Sequence, residues 1–442
     1  MRGILLLSLL SSPTADAFCG TYVSSYEEAP TNAASEVAIV RQGTTTTLTV
    51  ANDVQGDTRD FAMVVPVPEV LGEDQIHVVD PTVFDRLRDY SNPREVSYEC
   101  EDFYYDTADS GVMDSDADTD ADSDSDTDTV EVEAQYIVGE YDILILSAEE
   151  SDGLVTWLQT NGYNVPDASA ELLGEYIDGG AYFFAAQVRE DAGIESGETL
   201  SPLQFSYTSE PFGLPVRIGT LNSPGEQDLR IYAFTDYDKG AVGVANYTQV
   251  DIDHDCMWQP EGDETLTDYY NRELEYAFGN VSGAEWLVEY SWGNGNCDPC
   301  TGVIPTPDDV YTLGYQQDYH YGDYYWFTRI RMRYGPDNAD QDLVLYESRM
   351  NEQSQMRFIQ YNEALEDRFP VCNFGMVENG GSCDTDTDTD TDTDTDTGET
   401  WLDDVFDGDN DSGDGCGCSS PGGAPAALGA LAALALVARR RR

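Results

Sequence analysis

The spacing of hydrophobic and polar positions changes several times along this chain, and each change marks an element. Residues 36–41, 44–51 and 61–67 are rich in β-branched and aromatic side chains and are bounded by turn formers at Gly43 and Gln55-Gly56-Asp57. They predict strands joined by tight turns. Asp80 then caps a short helix over 81–90, with Pro81 at the first helical position, where a missing N–H costs nothing. Residues 141–146 form an apolar run of strand length, and Leu154, Trp157 and Leu158 recur at helical spacing within 149–160, before Asn161-Gly162. A second helix is expected over 168–177, between Asp167 as cap and Gly179-Gly180 as stop. Strands at 182–188, 204–208 and 229–234 precede the longest amphipathic helix, 265–278, and strands at 286–290 and 325–334 follow it. Interspersed helices and strands without a regular βαβ rhythm predict an α+β fold: a β-rich mixed body in one large or two closely packed domains.

The ends and two polar tracts interrupt this pattern. Residues 1–17 carry Arg2, an apolar core over 4–10 and Ala15-Asp16-Ala17, the layout of a secretory signal peptide cut after Ala17. A core of seven residues, six of them apolar, is too short to span a bilayer. At the other end, Cys416 and Cys418 precede an apolar run over 424–438 and four terminal arginines, which stay on the cytoplasmic side of a membrane. As a helix, that run reaches roughly 22 Å, short of a hydrocarbon core of roughly 30 Å, so residues 416–442 suit a sorting signal better than a permanent anchor. Residues 114–128 read DSDADTDADSDSDTD, and 384–396 alternate Asp and Thr. Neither tract has anything to bury, so both predict disordered spacers: an acidic insertion over 107–130 and an acidic stalk over 384–415. They leave a β-rich N-terminal part of the body, 18–106, and an α+β main part, 131–383. Calcium loops of the EF-hand kind need a glycine at the sixth position and a glutamate at the twelfth, and these tracts lack both.

Charge narrows the class of partner. Among 442 residues, 86 are acidic and 21 basic, a formal net charge of −65, which disfavours nucleic acid. A hydrophobic fraction of 40% is still enough to build a core. Outside the tracts, stalk and termini, 63 acids face 16 bases, about −47, and Lys239 is the only lysine. Such a surface suits salty surroundings or cationic partners.

Seven cysteines fall in the body: Cys19, Cys100, Cys256, Cys297, Cys300, Cys372 and Cys383. In an exported chain such thiols pair, although an odd count leaves one over and the connectivity stays open. Separation along the chain favours Cys372 with Cys383, Cys297 with Cys300, and Cys19 with Cys100. Cys297-Asp298-Pro299-Cys300 is the one motif with redox potential, but Asp298 raises rather than lowers a neighbouring thiol pKa, so a structural bridge is the preferred reading. His77, His254 and His320 are scattered, and Asp251-Ile252-Asp253-His254-Asp255-Cys256 gathers donors too close in sequence to converge on one ion. No serine elbow, Walker loop, dinucleotide fingerprint or HExxH motif is present. No cofactor or metal site is expected, and catalytic residues stay unknown. The aromatic run Tyr319, Tyr321, Tyr324, Tyr325 and Trp326 is a carbohydrate or partner platform, or more simply core packing.

Several stretches resemble a bacterial family catalogued as domain of unknown function 2330. They are Phe18-Cys19-Gly20, residues 60–68 (DFAMVVPVP), Leu154-Val155-Thr156-Trp157-Leu158 with Asn161-Gly162-Tyr163, Tyr182-Phe183-Phe184-Ala185-Ala186, Cys297-Asp298-Pro299-Cys300 and residues 328–334 (TRIRMRY). The resemblance implies an exported bacterial protein and assigns no catalytic residue. The C-terminal order of cysteine motif, apolar segment and arginine cluster resembles the MYXO-CTERM sorting domain, which implies processing at Cys416 or Cys418 by a membrane-embedded protease.

Together these features favour an exported, surface-displayed, non-catalytic binding or structural module of the cell envelope. Its expected partners are the export machinery, a C-terminal sorting protease, the membrane through the C-terminal segment, and cations or envelope components. Two alternatives fit the same chain: a secreted hydrolase or thiol oxidoreductase, and a calcium-responsive stalk protein. A deep pocket with convergent polar groups and perturbed carboxylates would favour the enzyme.

Overall fold

The computed structural model describes the chain from Thr21 to Cys372, apart from residues 25–30, 33–34, 52–53, 56–60, 99–129, 149–150, 161–164, 166–168, 190, 193–199, 223–224, 261, 280–282, 294–303, 317–323, 350–352 and 367. Elements are numbered along the chain. The larger sheet runs, neighbour to neighbour, β16 (Thr248–Gln249), β18 (Glu285–Gly293), β19 (Tyr325–Tyr334), β14 (Gln227–Asp236), β3 (Ser35–Gln42), β4 (Thr45–Ala51), β12 (Leu203–Thr208) and β7 (Ile76–Val78), with β21 (Ser354–Gln355) beside β18. The smaller sheet is antiparallel throughout: β1 (Thr21–Ser24), β6 (Phe61–Val67), β11 (Tyr182–Val188), β10 (Tyr141–Ala148) and β9 (Val130–Val138). Three minor sheets join β13 (Gly213–Leu214), β20 (Leu343–Glu347) and β15 (Val242–Val244); β17 (Cys256–Trp258), β22 (Arg357–Gln360) and β8 (Arg94–Val96); and β2 (Thr31–Asn32) with β5 (Val54–Gln55).

The two large sheets pack face to face. Ile231, Ile330 and Met332 of the larger sheet share one core with Val65, Ile143 and Phe184 of the smaller, and Phe184 stacks on Phe205 of β12 at 4.9 Å between ring centroids. Helices cover both outer faces. On the smaller sheet, α2 (Ser151–Thr160) and α3 (Ser169–Asp178) bury Leu154, Leu158 and Leu173 against Val64, Leu146 and Phe183. On the larger sheet, α1 (Thr82–Ser91) and α5 (Pro307–Thr312) lie over one region, where Phe84, Leu87 and Val310 meet Tyr232, Phe234 and Phe327. Beside them, α4 (Leu266–Ala277) packs Tyr270 and Leu274 on Leu287 and Phe358. The result is a four-layer helix–sheet–sheet–helix body, β-rich and α+β. Each sheet is buried on both faces, which accounts for near-continuous apolar runs such as the buried Ala62 to Val65. Full burial of one such aliphatic or aromatic side chain contributes about 1.5–3 kcal/mol.

The strands and helices expected from periodicity are all present, with ends displaced by a few residues. Gln42 pairs with Thr45, so Gly43 and Thr44 make a two-residue hairpin, and Gly43 takes a φ of +59° that a Cβ would strain. Gly180, at φ +79°, stops α3 as its sequence suggests. The Asp80 carboxylate accepts the Thr82 N–H at 2.9 Å, so the expected cap works although the helix starts one residue later. At α4, Thr265 and Asp268 form a reciprocal capping box.

Periodicity missed β9, which begins at Val130, the last residue of the stretch given to the acidic insertion. Its alternating Val-Glu pattern follows directly on the acidic tract and blends into it. Periodicity also missed α5, a single short stretch capped by Thr306 and Asp309, and the short strands β20 to β22. No helix among the described residues is long and apolar enough to cross a membrane. The expected signal peptide over 1–17, the tract over 114–128, the expected stalk over 384–415 and the apolar run over 424–438 lie outside those residues.

Candidate functional site

Alternation along β14 and β19 divides their residues cleanly. Leu229, Ile231, Ile330 and Met332 face the other sheet, whereas Asp228, Arg230, Tyr232, Arg329, Arg331 and Arg333 face the outer helices. Register fixes the order across strands: Arg331 of β19 lies opposite Arg230 of β14, and Arg230 lies beside Glu36 of β3. Two like charges directly opposite each other destabilise a sheet unless carboxylates flank them.

Three carboxylates do so. Asp228 takes both Arg331 (2.9 Å) and the side-on fork of Arg333 (2.8 and 3.1 Å). Glu289 of β18, fully buried, is in ionic contact with the equally buried Arg329, lies 3.8 Å from Arg331, and accepts a short hydrogen bond from the Tyr270 hydroxyl of α4. Glu36 accepts two hydrogen bonds from Arg88 of α1, at 2.5 and 3.2 Å, and one from the Tyr232 hydroxyl at 2.8 Å. Burial alone would raise the pKa of these carboxyls. For Glu36, the hydrogen bonds and charge of Arg88, helped by Arg230 and Tyr232, outweigh burial and hold the group below its ordinary value. Asp228 is held down in the same way against burial by Arg333 and Arg331, and Glu289 against burial by Arg329 and Arg331. Burial and the adjacent Glu289 carboxylate push the Tyr270 hydroxyl well up, so it stays a donor.

Arg329 is the structural pin. Its guanidinium donates to the carbonyl of Arg88 (3.3 Å) and the hydroxyl of Ser91 (3.3 Å), contacts Asn92 at the end of α1, and lies over the Tyr232 ring. Above this floor, between α1, the first turn of α4 and the loop carrying Leu200 and Pro202, opens a cleft of about 830 Å³. Arg88, Arg230, Arg329 and Arg331 line it, together with Glu36, Asp85, Asn92, Tyr270 and Asn271, and its upper walls include Phe84, Pro93 and Leu266. The volume suits a small organic molecule. Arg230 is the least committed group in it: its ionic contact among the described residues is Glu36 Oε1 at 3.6 Å, beyond hydrogen-bond range, and its side chain is 24% exposed.

The described residues among those singled out from sequence lie elsewhere. Cys256 is bridged to Cys372, with Cα atoms 5.0 Å apart, so the expected pairing of Cys372 with Cys383 is overturned. Chain separation misled because Val371 bridges to Met257 in parallel and the Cys372 N–H donates to the Met257 carbonyl, placing the two cysteines side by side across 116 residues. Cys19, Cys100, Cys297, Cys300, Cys383, Cys416, Cys418 and Ala17 lie outside the described residues. His254 stands 3.4 Å from Asp255, which also pairs with Arg357, and among the described residues no cluster of three or more metal-ligating side chains occurs. In the aromatic run, Tyr325 and Trp326 are buried, whereas Tyr324 is exposed and meets Tyr237 edge-on at 6.1 Å. The cleft itself escaped sequence reasoning. Its signal was present in residues 329–333, where every second position is arginine in a chain otherwise poor in bases.

The fold and the cleft define a class: a four-layer β-rich protein with an arginine floor on one outer sheet face. The chain belongs to the family described as an uncharacterized protein conserved in bacteria (DUF2330), whose model matches residues 13–345 and therefore includes the strands that build the cleft floor. No curated protein and no solved structure matches the chain.

Proposed function

We propose that this chain is an exported, surface-displayed envelope protein whose body binds a ligand in the arginine cleft rather than transforming it. The observation that carries this reading is that the buried Glu36 of the cleft is engaged by Arg88 and Tyr232, and the supporting Asp228 and Glu289 by Arg331, Arg333 and Arg329. A general acid working near neutral pH needs a carboxyl raised toward 7. Here Glu36 and the supporting Asp228 and Glu289 are driven the other way, by arginine neighbours. The described residues lining the cleft include no histidine, cysteine, serine or lysine, and of its remaining hydroxyls and carboxyls Tyr270 donates to Glu289 while Glu36 is paired with Arg88. A pocket with convergent polar groups is thus present, and its arginines, paired in part with carboxylates, suit recognition. The hydrolase and thiol oxidoreductase alternatives draw no support from this site.

The address rests on the sequence: the signal over 1–17, the acidic stalk over 384–415, and the tail over 416–442 with its likeness to the MYXO-CTERM sorting domain. In this reading the export machinery cuts after Ala17, a sorting protease processes the chain at Cys416 or Cys418, and the stalk holds the body off the membrane. The bridge between Cys256 and Cys372 fits an oxidising location and ties the last described residue of the body to β17. Fractionation of producing cells, with mass spectrometry of both mature termini, tests this. The expected product is an envelope-bound chain starting at Phe18 and lacking residues beyond the cysteine motif. An intact 442-residue chain in the soluble interior would overturn it.

A further inference from the structure

We propose that the cleft receives an organic anion of roughly monosaccharide size, its carboxylate or phosphate oxygens seated on Arg230 between Arg88 and Arg331. This rests on the binding reading above and names the ligand class. Five of the body's arginines, Arg88, Arg230, Arg329, Arg331 and Arg333, gather around the buried Glu36 and Glu289 and the largely covered Asp228, with the buried Glu285 opposite Arg333, in a chain otherwise poor in bases. Asp85 and Glu275, which also contact this group, are mostly solvent-exposed and screened. Burying ionic networks of this kind brings little stability compared with apolar packing. The arrangement makes better sense when one guanidinium is kept for a ligand, and Arg230 is that one: every other arginine at the floor donates a hydrogen bond or ionic contact at 3.2 Å or less, while Arg230 stands 3.6 Å from its carboxylate.

The planar guanidinium fork matches two oxygens of a carboxylate or phosphate. Leu266 and Thr267, the first turn of the twelve-residue α4, line the same cleft, so the positive end of that helix adds to the field, partly offset by Asp268 at its cap. Phe84, Pro93 and Leu266 supply an apolar wall for the rest of the molecule. The distant acidic charge does not forbid this, because at physiological ionic strength charges beyond about 8 Å are largely screened.

Titration calorimetry of the full-length chain with glucuronate, glucose 6-phosphate, glucose and inorganic phosphate tests the proposal, the first two probes separating a carboxylate from a phosphate source. One or both organic anions should bind saturably, more tightly than inorganic phosphate, and glucose should not bind. Arg230→Ala should weaken that binding about 10-fold to 100-fold, the loss of a charge-assisted hydrogen bond, and Arg230→Lys, which keeps the charge but not the fork, should fall between. Circular dichroism of both variants should match the wild type. Failure of both organic anions to bind, equal binding of glucose or inorganic phosphate, or binding undiminished in folded Arg230→Ala would each overturn the anion site. Envelope fractionation with no anion binding removes this inference and leaves the surface module; anion binding by a chain found in the soluble interior does the reverse.

Discussion

The two faces of the larger sheet use the same strands in opposite ways. Toward the smaller sheet, Ile231, Ile330 and Met332 are held by apolar packing alone, which is non-directional and tolerant of small shifts. Toward the outer helices, the neighbouring residues Arg329 and Arg331 are held by ion pairs and hydrogen bonds that connect three strands and two helices, while Arg230 stands beside them 3.6 Å from Glu36. The first face supplies stability. The second supplies position, at a desolvation cost that the first must carry. This difference teaches why a functional cleft can sit on a sheet that is also the centre of the core: one residue of offset separates the two roles.

Breaking the charged face should have the largest effect. Glu289→Ala leaves Arg329 buried without its carboxylate and is expected to cost about 3–5 kcal/mol in urea unfolding. A loss below 1 kcal/mol would mean that the network is ornamental to stability. The same face should respond to acid. Glu36, Asp228 and Glu289 have folded pKa values below their ordinary 4.5, 3.8 and 4.5, so their stabilisation is complete above those values and disappears as pH falls through the lowered ones. Chemical denaturation from pH 7 to 5 should therefore show little change from these groups, followed by a decline below about pH 4.5. That decline should be smaller in Glu289→Ala, which has already lost one of them.

The Cys256–Cys372 bridge lies on the outer side, next to the cluster under α4. Replacing both cysteines by serine should cost roughly 2–4 kcal/mol. Hydrogen exchange should rise chiefly in β17, β22 and α4, leaving Ile231 and Ile330 protected. On the apolar face, Ile330→Val removes one methyl group and should cost about 0.5–1.5 kcal/mol, with no dependence on pH. The smallest effect belongs to Arg230→Gln, expected within about 1 kcal/mol of wild type because Arg88 and Tyr232 still satisfy Glu36. A loss comparable to that of Glu289→Ala would make Arg230 one more structural tie and would erase the distinction between a pinned floor and an open guanidinium.

Much of the local structure was legible in advance. The hairpin at Gly43, the stop at Gly179-Gly180 and the cap at Asp80 follow from backbone chemistry confined to a few neighbouring residues. The failures share the opposite character. β9 was hidden because its alternating glutamates continue the acidic composition before it, and its strand nature is settled by pairing with β10. The partner of Cys372 was misjudged because proximity along the chain says little about proximity across a fold.

The sequence by itself determined most of the longer elements, the strong net negative charge and the alternation of arginine with apolar residues along β19, because each depends on local spacing and on charges that can simply be counted. The tertiary structure alone decided that Arg230, Arg331 and Glu36 stand in one row, that Glu289 is driven beneath them by the β18 irregularity between Val288 and Tyr290, and that α1 and α4 leave a cleft above. Register between strands distant in sequence sets which charges meet, and no local pattern carries that information.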